Sequence, residues 1–487
     1  MDLHATTGID TRLSVGRRGF LAAGAGAAMA AAGLSAPAYA RPARPSRPRA
    51  PRARNVIFMV ADGMSAGTLT IADSVRRMRD GKASAWCTLW ERPGARRTAQ
   101  KTQCADAFVT DSAAAAAAWG CGFSCNTGVL NVTPDGRQRL PILAHARQCG
   151  KATGVVTTTR VTHATPAGFC VNIPHRDLED AIAEQMLERG FDVMLGGGAK
   201  HFPPELIARY PNLKVVRTAE ELRAAPPGRL LGIFSRDHIP HVVDRTEKIP
   251  TLEAMSAAAL DRLAVAPEGF VLQIEGGRVD HAAHDNDAVS LVHEQLEFDR
   301  TLEHVMQWME GRDDTLLIVT TDHGNANPGL TLYGRRGEES LHRLLKGTRS
   351  FETMLARIAR GRKERELGRV ISEVVEEGTG VALETTEVNM LASVLQSQRV
   401  MPFRDANNAT SVLGSILAST FGVAFTSPNH TSDMVELTSL GPGSDALRPV
   451  MHNNEVWHVL VQAMCLEPAR LLPGMDQLIR LNRVEGD

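Results

Sequence analysis

Five segments of this sequence place carboxylates, imidazoles or a hydroxyl directly after an apolar run, and these residue types hold divalent cations or attack electrophiles. The first is Ala61-Asp62-Gly63-Met64-Ser65, which follows Val56-Ile57-Phe58-Met59-Val60. A carboxylate leaving a fully apolar strand cannot stay buried unpaired, because desolvating a charge is costly. A cation would satisfy Asp62, while Gly63 lets the backbone turn away; taken alone, the segment fits a helix-capping Asp equally well. The second is Val109-Thr110-Asp111-Ser112, followed by six alanines. Ser112 falls where a helix would begin, so free backbone N–H groups and the positive end of the helix dipole face its hydroxyl, an environment suited to phosphate. A plain N-cap is the commoner role for Asp or Ser at such a place.

The third segment is His163-Ala164-Thr165-Pro166-Ala167, with His175-Arg176 beyond it. A Thr hydroxyl ligates hard cations such as Mg²⁺, and the planar fork of an arginine matches two phosphate oxygens. The fourth, Glu275 to Asp285, puts Glu275, Asp280 and His284 just past another apolar run. Asp280 and His284 are four apart, so on a helical turn they share a face and can grip one ion. The fifth, Thr320-Thr321-Asp322-His323-Gly324, again sets Asp beside His at a strand end, which suits a zinc-type ion. Ser427-Pro428-Asn429-His430-Thr431 adds a further His after an apolar stretch. A single His is more often structural than a ligand, so the convergence carries more than any one segment.

These residues need a scaffold that gathers them. Continuous apolar runs at Val56–Val60, Thr153–Thr158, Asp192–Leu195, Phe270–Ile274, Leu316–Thr320 and Gly422–Phe425 read as strands buried on both faces. Helical stretches lie between them, at Leu178–Arg189, Leu252–Ala264 and Ala288–Met309. The alternation predicts an α/β fold, a mainly parallel central sheet with helices on both faces, whose carboxyl edge is where ligands bind. The alanine run predicts close packing of its helix against that sheet. Residues from about 334 to 397 are charged and helix-prone and predict a helical insertion. No internal repeat is visible.

The chain has 487 residues, 43% hydrophobic and 22% charged, with a net charge of -1. The neutral balance argues against nucleic-acid binding, which needs a basic excess. Residues 1–40 predict an export signal: Arg17-Arg18-Gly19-Phe20-Leu21, an Ala/Gly-rich apolar run, then Ala38-Tyr39-Ala40 as a cleavage site. The paired arginines are of the twin-arginine type, which predicts a periplasmic or extracellular location. Residues 41–54 alternate Arg with Pro and Ala and predict a tether, leaving 55–487 as the catalytic domain. No later segment is long and apolar enough to span a bilayer. Seven cysteines, an odd number with no CxxC pair, leave the disulfide state open.

From Asn55 to about Leu440 the order of the segments resembles the alkaline phosphatase family, through VADGM, VTDSAAAAAAW, TTTRVTHATPA, EGGRVDHAAHDND, TTDHGN and NHTSD. The resemblance implies hydrolysis of small phosphate monoesters, with Ser112 as the serine that becomes phosphorylated and Arg176 as the phosphate clamp. It implies two Zn²⁺ and one Mg²⁺. Asp280, His284 and His430 match one zinc set; Asp322 and His323 match the second, with Asp62 bridging to magnesium; Thr165 and Glu275 complete the magnesium set. Asp111, His163 and His281 match positions just behind the ligands, and the two histidines are of the type found in animal members rather than the acidic and Lys pair of some bacterial ones. Two metals about 4 Å apart would hold the entering and leaving oxygens of an in-line displacement. The resemblance also allows a homodimer. A phosphodiesterase or sulfatase-like hydrolase on the same scaffold, or an exported metal or phosphate binder without catalysis, are the competing readings. The intact Ser112 and full ligand set weigh against both.

Overall fold

The run Val56–Val60 lies within a strand, Asn55–Ala61 (β1), buried along its whole length. Its flanking strands explain the burial: β1 pairs in parallel on both edges, and helices cover both faces, so no side chain of the strand meets water. The computed structural model describes residues 53–360, 366–464 and 466. The expected export signal, most of the Arg/Pro tether and Cys465 lie outside the described residues. Among those described, no helix is long and apolar enough to cross a membrane, and the six cysteines are free thiols.

The remaining strands in chain order are Arg96–Lys101 (β2), Ala152–Arg160 (β3), Val193–Gly197 (β4), Lys214–Val216 (β5), Leu230–Ile233 (β6), Phe270–Gly276 (β7) and Thr315–Thr320 (β8). They continue with Gly324–Asn325 (β9), Gly329–Leu330 (β10), Val423–Ala424 (β11), His430–Thr431 (β12), Val435–Leu440 (β13) and Val450–His452 (β14). Ten of them form one sheet in the order β14-β2-β13-β8-β1-β7-β3-β4-β6-β5. All neighbours from β8 to β5 run parallel, and β13 alone is antiparallel to both of its neighbours. The four strands that deliver the fifth, first, fourth and third chemical segments, β8, β1, β7 and β3, are contiguous. Residues more than two hundred positions apart in sequence therefore leave one carboxyl edge side by side.

Two apolar cores fill the two faces. On one, Phe58 of β1 touches Trp119 and Phe169, each with ring centroids 5.1 Å away. On the other, Met59, Ile274 and Val319 meet Trp86, Leu260 and Phe298. A third core lies among the helices of the insertion, Arg335–Leu344, Phe351–Arg360, Leu367–Thr379 and Thr385–Leu395, packed on the helices Ala66–Asp80 and Ala288–Trp308. The insertion is rooted beside the carboxyl edge of the sheet: Asp287 accepts from the backbone N–H of Phe351 (2.8 Å), Asp244 accepts from Ser350 and Thr353, and Arg278 donates to Glu352.

Two expectations change. The alanine run does pack closely, but its near partner is another helix. Gly168 of helix Ala164–Cys170 sits so close that an added Cβ would lie 2.5 Å from the Ala116 Cβ, and one on Gly120 would lie 2.1 Å from the Gly168 carbonyl. Gly422–Phe425 supplies only the two-residue β11, paired with β10 outside the main sheet; Gly422 instead terminates helix Ala409–Phe421 in a left-handed conformation.

Candidate metal and phosphate site

Asp62 leaves β1 and the chain turns at once at Gly63, whose φ of +67° belongs to the left-handed region. An added Cβ there would meet Asp280 Oδ1 at 2.3 Å, so glycine is also what lets Asp280 approach. The freed backbone then serves the site: the N–H of Gly63 donates to Asp322 Oδ1 (3.0 Å) and that of Met64 to Thr321 (2.9 Å). One turn thus fixes three carboxylates relative to one another.

Ser112 begins the helix Ser112–Cys121, and Asp111 is its N-cap. Asp111 Oδ1 accepts from the backbone N–H of Ala114 and of Gly128, both at 3.1 Å, while Oδ2 accepts from Arg176 (3.0 Å). The second guanidinium arm of Arg176 donates to His163 Nε2 (3.0 Å). Burial would raise the Asp111 carboxyl, but the Arg176 charge and the two backbone donors hold it below its usual range. Asp111 therefore both caps the helix and fixes the direction of the Arg176 guanidinium. Ser112 Oγ lies 3.2 Å from His323 Nε2.

Three groups of donor atoms lie within 4.8 Å of one another: Asp280, His323 and His430; Asp62, Asp322 and His323; and Asp62, His163 and Glu275. His284 joins the first, with Nε2 3.4 Å from Asp280 and 2.9 Å from His430 Nε2, although its side chain is 39% exposed. Thr165 Oγ1 lies 3.4 Å from Asp62 Oδ2, at the corner where the third group, with the imidazole of His163, is found. His281 lies behind, its Nδ1 taken by Arg278 (2.7 Å).

The donor chemistry fits cations. His284 Nδ1 faces the Pro428 carbonyl (2.6 Å) and His430 Nδ1 faces the Thr110 carbonyl (2.9 Å). Carbonyls only accept, so both Nδ1 atoms carry a proton, and the two Nε2 atoms face each other beside the Asp280 carboxylate. That arrangement draws positive charge between the rings, a metal ion or, without one, the proton that His430 retains, and the carbonyl-anchored imidazole is the usual support of a metal ligand. Asp62 Oδ1, Glu275 Oε1 and Asp322 Oδ2 are buried with no hydrogen-bond partner, which is costly for charged oxygens.

The same crowding shifts the acidities of these groups. Burial, then repulsion from Asp322, Asp280 and Glu275, raises Asp62 well above the carboxylate range. Glu275 is pushed up to about 7, chiefly by burial and then by Asp322. Burial opposes ionisation of Asp280 too, but His284 and His430 hold it well below its ordinary value. His430 rises to about 9, burial being outweighed by Asp280. Burial and cationic neighbours depress His163 and His281.

Sequence reasoning missed His238, in the loop after β6. Its ring meets His163 edge-on (centroids 5.4 Å) and His281 (4.4 Å), and its Nε2 contacts the Arg160 guanidinium. A lone His after a short strand carries no pattern that would single it out. Arg160 at the end of β3, bonded to Glu179 and Asp237, was missed for the same reason.

The chain is similar to known proteins over most of its length. Alkaline phosphatase 4 of Bacillus subtilis is 26% identical over 84% of this chain and 88% of its own length. The repressible alkaline phosphatase of Saccharomyces cerevisiae is 35% identical over 55% of this chain and 54% of its own. The crystal structure of Thermus thermophilus alkaline phosphatase superposes with a TM-score of 0.80 at 34% identity, covering 86% of this chain and 92% of that one. Residues 53–466 match the family model described as Alkaline phosphatase, and with the fold and the clustered donors they establish that this chain belongs to the alkaline phosphatase family.

Proposed function

We propose that the chain hydrolyses phosphate monoesters through a phosphoserine on Ser112, using two Zn²⁺ and one Mg²⁺, after export from the cytoplasm. The observation that carries the reading is the gathering of carboxylate and imidazole donors at one sheet edge, with Asp62 Oδ1, Glu275 Oε1 and Asp322 Oδ2 buried and without a hydrogen-bond partner. Buried carboxylate oxygens crowded in this way are unfavourable unless a cation lies among them. Asp280, His284 and His430 would hold one zinc and Asp322 with His323 the other. Asp62 would be shared with the magnesium held by Glu275 and Thr165, and His163 borders that corner. When bound, such cations supply positive charge that favours the deprotonated nucleophile and the departing oxygen.

The chain's own groups do the rest. Ser112 Oγ attacks phosphorus from the positive end of its helix, where free backbone N–H groups stabilise the anionic ester. Arg176, aimed by Asp111 and His163, clamps two phosphate oxygens and restrains the group through attack and subsequent hydrolysis. The alcohol leaves first, and water then releases inorganic phosphate from Ser112.

The test is Ser112→Ala in metal-replete protein, with an aryl phosphate at alkaline pH. Turnover is expected to fall by roughly three orders of magnitude or more, and acid-quenched labelled phosphate should no longer be trapped on the protein. Wild-type turnover in this variant would remove Ser112 from the reaction. Faster cleavage of diesters or sulfate esters than of monoesters by the parent protein would reassign the substrate class.

A further inference from the structure

Arg176 is held by two acceptors, and one of them, His163, is itself a free-standing ring that something must hold. We propose that His238 is a positioning residue for phosphate binding, acting on Arg176 through His163; the inference rests on the reading of Arg176 as the phosphate clamp.

A guanidinium only donates, so the Arg176 contact requires His163 Nε2 to be an acceptor, with the proton on Nδ1. Nδ1 is buried and has no hydrogen-bond partner, so no second bond fixes the ring's rotation. Packing has to do so. The rings of His238 and His281 form that wall, at 5.4 and 5.7 Å from His163 and 4.4 Å from each other, all near perpendicular.

Each wall ring is pinned by its own arginine. Arg278 donates to His281 and also to Glu352 of the insertion. The guanidinium of Arg160 contacts His238 Nε2, and its backbone N–H lies 3.3 Å from Nδ1. Arg160 also donates to Glu179 (2.8 Å) and Asp237 (2.7 Å). Glu179 opens the helix Glu179–Arg189, three residues after Arg176, so Arg160 braces the clamp segment from behind while its other contacts hold His238. Three imidazoles, each paired with an arginine, thus form a triangle with His163 at the corner that touches the clamp. His238 is the only one contributed by the loop after β6, and removing it opens space against the His163 ring.

The experiment uses full-length, metal-loaded protein in a Ser112→Ala background, where inorganic phosphate binding is read by equilibrium dialysis without turnover. His238→Ala is expected to weaken phosphate binding on the order of tenfold. His238→Asn keeps an acceptor for Arg160 but loses the ring edge, and is expected to weaken it at least about twofold. In a His163→Ala background neither change should have a further effect, because the path through His163 is already cut. Unchanged phosphate binding in both variants overturns the inference, as does an equal loss with and without His163. Should His238→Ala fail to fold, the Asn variant in the two backgrounds decides alone. A parent protein that binds no phosphate when metal-loaded would instead overturn the proposed function, and this inference with it.

Discussion

Arg176 has its geometry set before any ligand arrives: one arm is on Asp111 and the other on His163. Preorganisation of this kind removes the entropy of ordering a long side chain from the binding step. A lysine would keep the charge but lose the fork, so it could not hold Asp111, His163 and phosphate together. Arg176→Lys is therefore expected to weaken competitive inhibition by inorganic phosphate by roughly tenfold to a hundredfold, the range for losing hydrogen bonds to a charged group. The check is an inhibition constant measured at saturating metal; an unchanged constant would mean that phosphate is held elsewhere. The carboxylates and imidazoles of the site were singled out by their convergence, each a charged or ligand-type residue directly after an apolar run, where it is costly without a partner. What could not be read was how they are shared. His323 belongs to two donor groups and His163 enters the third, and such sharing depends on distances between strands that no local spacing encodes.

At the scale of elements, Ser112, the proposed nucleophile, is placed by a helix pair with no room between its members. The Gly168 and Gly120 contacts show backbone nearly touching backbone, and Ser112 is the first residue of one partner. Gly168→Val forces the helices apart; overpacking a tight contact costs about 1–3 kcal/mol. The expected result is a lower urea midpoint together with reduced turnover, since the shift is transmitted along the helix to Ser112. An unchanged midpoint would show that the neighbouring helices yield freely. The alanine run announced a close approach but not its partner, because small side chains permit contact with any surface. Strands divide in the same way. β1, β7 and β8 were legible as unbroken apolar runs, whereas β2 (RRTAQK) and β13 (VELTSL) were not. These two lie towards the sheet edge beyond β8, where polar residues are tolerated and the apolar signal fades. β11 misled for the opposite reason: Gly422 to Phe425 is apolar because it caps a helix and joins the core of the insertion, not because it crosses the sheet.

For the whole molecule, the site is a store of repulsion built into the centre of the sheet. With Glu275 raised to about 7 and Asp62 raised as well, the cation-free folded protein keeps protons that the unfolded chain has already released. The sign follows from linkage: a carboxyl with a raised folded pKa contributes stability that is complete below the ordinary carboxylate range. That contribution is lost as pH rises through about 7. Cations reverse this dependence, because they require the deprotonated oxygens and bind more tightly as protons leave. A cation at a hundredfold excess over its Kd adds about 2.7 kcal/mol per site if the unfolded chain does not bind it. The gap in melting temperature between metal-loaded and EDTA-treated protein should therefore widen from pH 6 to pH 8. Calorimetry at both pH values, with zinc and magnesium restored after chelation, measures the gap directly. Most other titrating groups are common to both forms and largely cancel in the difference, so a gap that stayed constant or narrowed would mean that the carboxylates at the sheet edge do not hold the ions.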